Sequence, residues 1–155
     1  MRLRPMLALL LLAGLPFRAM SQTAAEAEVS AVVARLFGGM RTADSAVVRS
    51  TFAPGARFAR VDSRQSPAVI AYDTPDGWLA GVANSAKRWD ERVYDVQVKV
   101  DAEMAQVWAP YTFYLDGKVR HCGVDTMELL RDASGWKITH LSDTQRREGC
   151  REVPP

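Results

Sequence analysis

The residues best suited to chemistry are polar side chains set inside apolar, strand-like stretches. Asp125 falls in the middle of Lys118–Leu130. Aspartate is disfavoured in strands and costly to bury without a partner. Held among apolar neighbours, its carboxyl is raised in pKa, which suits a general acid or base near neutral pH. His121 and His140 are the only two histidines, and both lie on expected strands. An imidazole titrates close enough to neutrality to donate, accept or shuttle a proton. Asp125 with His121 or His140 therefore forms a candidate proton-transfer set. Each residue also has a structural reading. Asp125 could pair with a histidine or with Arg60, and His140 could hydrogen-bond a strand or loop carbonyl. A zinc pair would need Asp125 or Asp143 as a further ligand, and the two histidines lack tight ligand spacing, so no metal is expected. The chain has no Ser-His-Asp signature, phosphate loop or dinucleotide fingerprint, and no permanent cofactor is expected.

These residues must be positioned by two halves of different character. Residues 24–90 are Ala-rich and mostly helical by pattern, and residues 92–144 are mostly strand. In Ala24–Met40, Val29, Val32, Val33, Leu36, Phe37 and Met40 recur at helical spacing and share one stripe, with Gly38-Gly39 weakening its end. Asp44 can cap a second short helix, which Pro54-Gly55 stops. Short strands are expected at Ala56–Val61 and Val69–Tyr72. A helix begins at Thr74-Pro75-Asp76 and ends before Trp89. From Arg92 the period becomes two, with strands to Val100, over Ala105–Leu115, Lys118–Leu130 and Trp136–Ser142.

Asp116-Gly117 is a strong two-residue hairpin signal and sets a register. Leu115 then faces Lys118, Thr112 faces His121, and Trp108 faces Asp125. One face collects Trp108, Thr112, Tyr114, His121, Asp125, Met127 and Leu129, joined by Ile138 and His140 from the last strand. The other holds Val107, Ala109, Tyr111, Phe113, Cys122, Val124 and Thr126. A single bulge would swap the faces beyond it. Both faces are substantially apolar, so both should be covered, one by helices and the other by the C-terminal tail or a second subunit. The face bearing His121, Asp125 and His140 combines apolar walls with a few polar groups, the usual form of a small-molecule site. Trp108, Thr112, Tyr114 and Met127 are its expected ligand contacts, and Trp89 its expected rim, although such tryptophans are often plain core.

The 155 residues include 20 Lys+Arg and 18 Asp+Glu. Arg2 and Arg4 precede an apolar run from Met6 to Leu15, followed by Ala19-Met20-Ser21. This is the pattern of a secretory signal peptide over residues 1–21, with cleavage expected after Ser21 and a single domain over 22–155. The run is too short to span a bilayer, and no other stretch is long enough. Removing the segment takes Arg2, Arg4 and Arg18 and no acid, so the excess of base disappears and argues against a nucleic-acid partner. Cys122 and Cys150 are the only cysteines. In an oxidising compartment a bridge between them is favoured over free thiols, with a lone nucleophilic Cys122 as the sharper alternative.

The run VWAPYTFYLDGKVRHCGVDTMELLRDASGWKITHLSDTQRREGC resembles the C-terminal half of proteins related to nuclear transport factor 2. It is most similar to the exported SnoaL-like, lumazine-binding-type group. The resemblance implies an α+β NTF2-like cone, with N-terminal helices packed in a strongly curved antiparallel sheet around a pocket. It also implies a homodimer through the sheet. Proteins of this fold include isomerases, dehydratases, cyclases and non-catalytic binding proteins, so fold leaves function open. The expectation is an exported protein, periplasmic or secreted, holding a small and largely apolar organic ligand. The alternatives are a cofactor-free SnoaL-like enzyme using Asp125 with His121 or His140, and a structural module of the cell envelope.

Overall fold

A computed structural model of the chain describes residues 23–155. The expected signal segment lies outside the described residues. Helix α1 spans Ala24–Arg41 and is opened by Thr23 in a capping box, its hydroxyl accepting from the Glu26 amide while Glu26 accepts from the Thr23 amide. The expected stripe is the buried one: Val29, Val33, Leu36, Phe37 and Met40 all enter the core. Gly38-Gly39 does not end this helix. A Cβ on Gly39 would stand 2.9 Å from Val48 Cγ2, so the glycine lets α2 (Ser45–Ser50) pack closely against α1. Asp44 caps α2 as expected, accepting from the Val47 amide at 2.9 Å.

Strands β1 (Phe52–Asp62) and β2 (Val69–Asp73) form a hairpin, followed by α3 (Pro75–Asn84). Strands β3 (Trp89–Val93) and β4 (Gln97–Asp101) both pair with β5 (Met104–Leu115). The expected single strand from Arg92 to Val100 is thus two strands, broken near Asp95, whose φ is +48°. The first of them reaches back to Trp89. β6 (Lys118–Asp132) and β7 (Gly135–Gln145) complete a seven-stranded sheet of order β2-β1-β7-β6-β5-β3, with β4 beside β3's partner β5. The sheet is mixed, because β1 runs parallel to β7 while every other pair is antiparallel. A parallel pair needs a long connection, and α3 with β3–β6 supplies it. The helices fill the concave side, where Leu36, Phe37, Val107, Tyr111, Leu129 and Ile138 belong to one continuous core.

Two bulges correct the expected faces. Leu115 faces Lys118 across the Asp116-Gly117 turn, as its sequence requires. Tyr114 then pairs with Val119 but Phe113 with His121, so Arg120 is an extra residue on β6. Beyond it β6 is shifted by one against the expected register: Thr112 meets Cys122 and Ala109 meets Asp125. His121, Asp125, Met127 and Leu129 therefore share the concave face with Val107, Ala109, Tyr111 and Phe113. Trp108, Thr112 and Tyr114 stand on the convex face. The second irregularity lies between Glu128/His140 and Leu129/Ile138, where Thr139 is the extra residue. It keeps Ile138 inside and puts His140 beside Glu128 on the convex side, away from Asp125.

The convex face is covered in part by the C-terminal tail. Cys122 and Cys150 form a disulfide with Cα atoms 5.4 Å apart. Beyond it, Thr112 Oγ1 donates to the Arg151 carbonyl at 2.6 Å, and the Val153 amide donates to Tyr114 Oη at 2.8 Å. Arg92 stacks over the Tyr114 ring at 4.2 Å and donates to the Val153 carbonyl at 2.6 Å. Buried Asp90 anchors this region through Arg92 at 2.7 Å and Arg41 at 2.9 Å.

Candidate functional site

The concave face encloses a cavity of about 310 Å³ between α1, α3 and the sheet. Its apolar wall includes Leu36, Phe37, Met40, Trp78, Trp89 and Phe113. Trp89 meets Phe113 edge-to-face at 5.9 Å, and Trp78 packs edge-on to Phe58 at 5.5 Å. Its polar side is formed by Glu91, His121, Asp125, Asp143 and Gln145 with Arg60, Arg64 and Arg120. The elements dictate this convergence. Glu91 alternates with Trp89 and Val93 on β3, and Asp125 and Asp143 are direct partners across β6 and β7. Three carboxyl groups, from β3, β6 and β7, thus line one cavity.

Asp125 is 3% exposed, and its Oδ2 has no hydrogen-bond partner among the described residues. Its side chain lies within hydrogen-bonding reach of Glu91. Two buried carboxyls this close disfavour ionising together, so at least one of them keeps a proton. Burial, then the Glu91 charge, holds Asp125 well above the ordinary carboxylate range. Burial likewise pushes Glu91 up to about 8, with Asp143 adding and Asp125 and Arg60 opposing. Part of Glu91 stays reachable through the cavity, so the retained proton is accessible to a bound molecule.

Asp143 is held differently. Arg60 Nε donates to it at 3.2 Å and Gln145 Nε2 at 2.9 Å. Tyr111 Oη stands between Asp143, the Thr144 carbonyl and His121. Its shortest contact, 2.9 Å to the Thr144 carbonyl, takes the phenol proton. Tyr111 then accepts from His121 Nδ1 at 3.3 Å, which leaves the lone pair of the neutral ring on Nε2. Burial, followed by Arg64, Arg60 and Arg120, pushes His121 down to about 4, so it is neutral at physiological pH. Phe113 stacks on the imidazole at 4.8 Å and fixes its plane. Burial raises the Tyr111 phenol far above its usual value, so it acts as a hydrogen-bonding post.

Of the residues singled out from sequence, Asp125, His121 and Trp89 meet in this cavity. Met127 is buried in the core between Val107 and Leu141 and does not line it. His140 is on the convex face, with Nε2 2.8 Å from Ser142 Oγ. Trp108, half exposed, shares with His140, Gln97, Lys99, Thr126 and Met127 a second hollow of about 660 Å³. That hollow is larger, but it has no buried titratable group directed into it. Thr112 and Tyr114 are engaged by the tail. Sequence reasoning missed Glu91, Arg64 and Arg120, and named Asp143 only as a possible metal ligand and Arg60 only as a possible partner of Asp125. The signal for Glu91 was present, since the alternation Trp89, Glu91, Val93 extends the strand period upstream. Among the described residues, no three His, Cys, Asp or Glu side chains are grouped as a metal centre requires.

Helices followed by a curled sheet around an inner cavity define the NTF2-like fold, and solved structures of that fold superpose on the chain. An NTF2-like protein of unknown function from Shewanella baltica matches at TM-score 0.62 and 14% identity, covering 83% of this chain and 100% of its own. A Streptomyces avermitilis protein of the NTF2-like family, provisionally named a dehydratase, matches at TM-score 0.62 and 16% identity over 77% of this chain and 94% of its own. A Novosphingobium aromaticivorans protein provisionally named an aromatic ring hydroxylase matches at TM-score 0.60 and 16% identity over 77% and 87%. No protein-family model and no curated protein matches the sequence. The chain has the NTF2-like fold, an α+β cone of mixed sheet, and at these identities the likeness concerns the fold alone.

Proposed function

We propose that this chain is an exported protein of the SnoaL-like group that binds a small, largely apolar organic ligand in its cone and transfers protons on it. The carrying observation is that Asp125, buried with an unpartnered oxygen, and Glu91 line one largely apolar cavity, where burial raises both carboxyls. Such a pair supplies a general acid at the pH where free carboxyls have lost theirs. The Asp143 carboxylate, oriented by Arg60 and Gln145, and the Nε2 lone pair of His121 are the bases beside it.

This set suits dehydration or isomerisation next to a carbonyl. In a dehydration, a base takes the α-carbon proton, the carbon–oxygen bond to the β-hydroxyl breaks, and the acid pair gives its proton to the departing oxygen. The products are the alkene and water, and the base gives up its proton to solvent while the pair takes one back, so the site is restored. Isomerisation returns the proton to a second carbon instead. The Streptomyces relative's provisional name is compatible with the first of these.

The test is a screen of β-hydroxy carbonyl compounds for loss of water, followed by variants on any compound turned over. Asp125→Asn should lower kcat by about 10²–10⁴-fold while circular dichroism stays that of the parent. Glu91→Gln should act in the same direction. Unchanged turnover in both variants would leave a binding protein with no proton chemistry. Two further properties belong to this proposal: passage through an export pathway with removal of residues 1–21, and a homodimer through the part of the sheet that the tail leaves open.

A further inference from the structure

The cavity lining is asymmetric in charge in a way that acid–base chemistry does not require. Three guanidinium groups, Arg60, Arg64 and Arg120, border it. All three line the same cavity as His121, and their charges bear on its ring. Arg60 donates through Nε to Asp143 and keeps its terminal nitrogens unengaged. Arg64 is held in place by Asp62, with Nε and Nη2 at 2.6 and 2.7 Å, which leaves Nη1 for another acceptor. Arg120 has no hydrogen bond or ion pair among the described residues, and it is the bulged residue that β6 inserts beside His121. Arg60 and Arg120 reach solvent while lining the cavity, so they stand at its mouth. Arg60 and Arg64 each face a carboxylate, Asp143 and Asp62, whereas Arg120 has none among the described residues and is the guanidinium left for an incoming anion. The opposite wall is aromatic, formed by Trp78, Trp89 and Phe113.

An arginine fork with spare parallel donors matches a carboxylate, and an aromatic wall matches a flat ring. We propose that the ligand of this cone is a small aryl or cyclic carboxylate, its ring against Trp78, Trp89 and Phe113 and its carboxylate on Arg120, Arg60 and Arg64. This rests on the reading of the cone as a small-molecule site and names its ligand class. Binding is measured without turnover, so the result does not depend on the acid pair being catalytic.

The experiment is calorimetric titration of the purified full-length product of an exporting host with benzoate, trans-cinnamate and 2-naphthoate, each beside its primary amide. At least one carboxylate should bind about tenfold or more tightly than its amide, and added salt should weaken it. Arg120→Gln should remove most of that preference and leave amide affinity unchanged. Equal binding of acid and amide, or equal losses in Arg120→Gln, overturns the carboxylate assignment while the apolar small-molecule site stands. Absence of binding by every acid and every amide overturns both.

Discussion

At the scale of single residues, the central feature is a proton kept on buried carboxyls where an exposed carboxylate would have none. This has a consequence for stability that can be read without a substrate. The folded chain holds the Glu91 proton up to pH about 8, whereas the unfolded chain releases it near 4.5. The stability associated with that proton is complete below 4.5 and lost as pH rises towards 8. Asp125, also raised, contributes with the same sign. His121 works the other way: its folded value of about 4 lies below the ordinary 6.5, so it costs stability as pH falls through that interval. The opposed slopes overlap below 6.5, and the carboxyl effect stands alone above it. Tm should therefore fall between pH 6.5 and 8, and Glu91→Gln should flatten that fall. An unaltered slope in Glu91→Gln would mean that Glu91 titrates as an ordinary exposed carboxyl.

At the scale of elements, the β5–β6 hairpin and the tail behind it decide what the sheet presents on each side. Gly123 sits opposite Tyr111 on the concave face, and any Cβ there would strike the Thr144 carbonyl. The missing side chain allows that carbonyl to receive the Tyr111 hydroxyl and so orients His121. On the convex side the Cys122–Cys150 bridge closes a separation of 28 residues and clamps the tail over Thr112 and Tyr114. In the chain-entropy model a loop of that size contributes about 3–4 kcal/mol. Replacing both cysteines by serine should lower Tm by roughly 10 °C. It should also loosen the tail backbone enough for trypsin to cut after Arg147 and Arg151 in the otherwise folded protein. An unchanged Tm with a protected tail would show that the hydrogen bonds to Arg151 and Val153 suffice alone.

At the scale of the whole molecule, the open half of the convex face and the chain's N-terminal segment define two further expectations. The tail stops short of Trp108, which is 50% exposed. Exposed apolar surface of this kind is where the proposed dimer would associate. We expect sedimentation equilibrium to give a dimer, and Trp108→Glu to give a monomer with unchanged circular dichroism. A monomeric parent protein would remove the dimer from the proposal. Export carries its own measurement. The N-terminal residue of protein recovered from an exporting host should be Gln22, whereas an intact Met1 would count against a cleaved signal segment. No described helix is long and apolar enough to cross a membrane.

Much of this architecture was legible from local pattern. The α1 stripe, the Asp44 cap, the Asp116-Gly117 turn and the two cysteines each act through neighbours in sequence or through a single pairing. The resemblance in the C-terminal half supplied the cone. Asp125 stood out because an aspartate inside a strand contradicts its surroundings, and His121 because it is one of only two histidines, both on expected strands. The composition of the site was less legible. Alternation says which residues share a face only while every residue is paired, and one unpaired residue inverts the faces beyond it. Arg120 and Thr139 are such residues. They brought His121 and Asp125 to the face of Tyr111 and Phe113, and they sent His140 to the other side. Glu91 became the partner of Asp125 because β3 and β6 both flank β5 and curl towards one cavity. That proximity comes from sheet curvature and packing against the helices, which no local window of sequence contains.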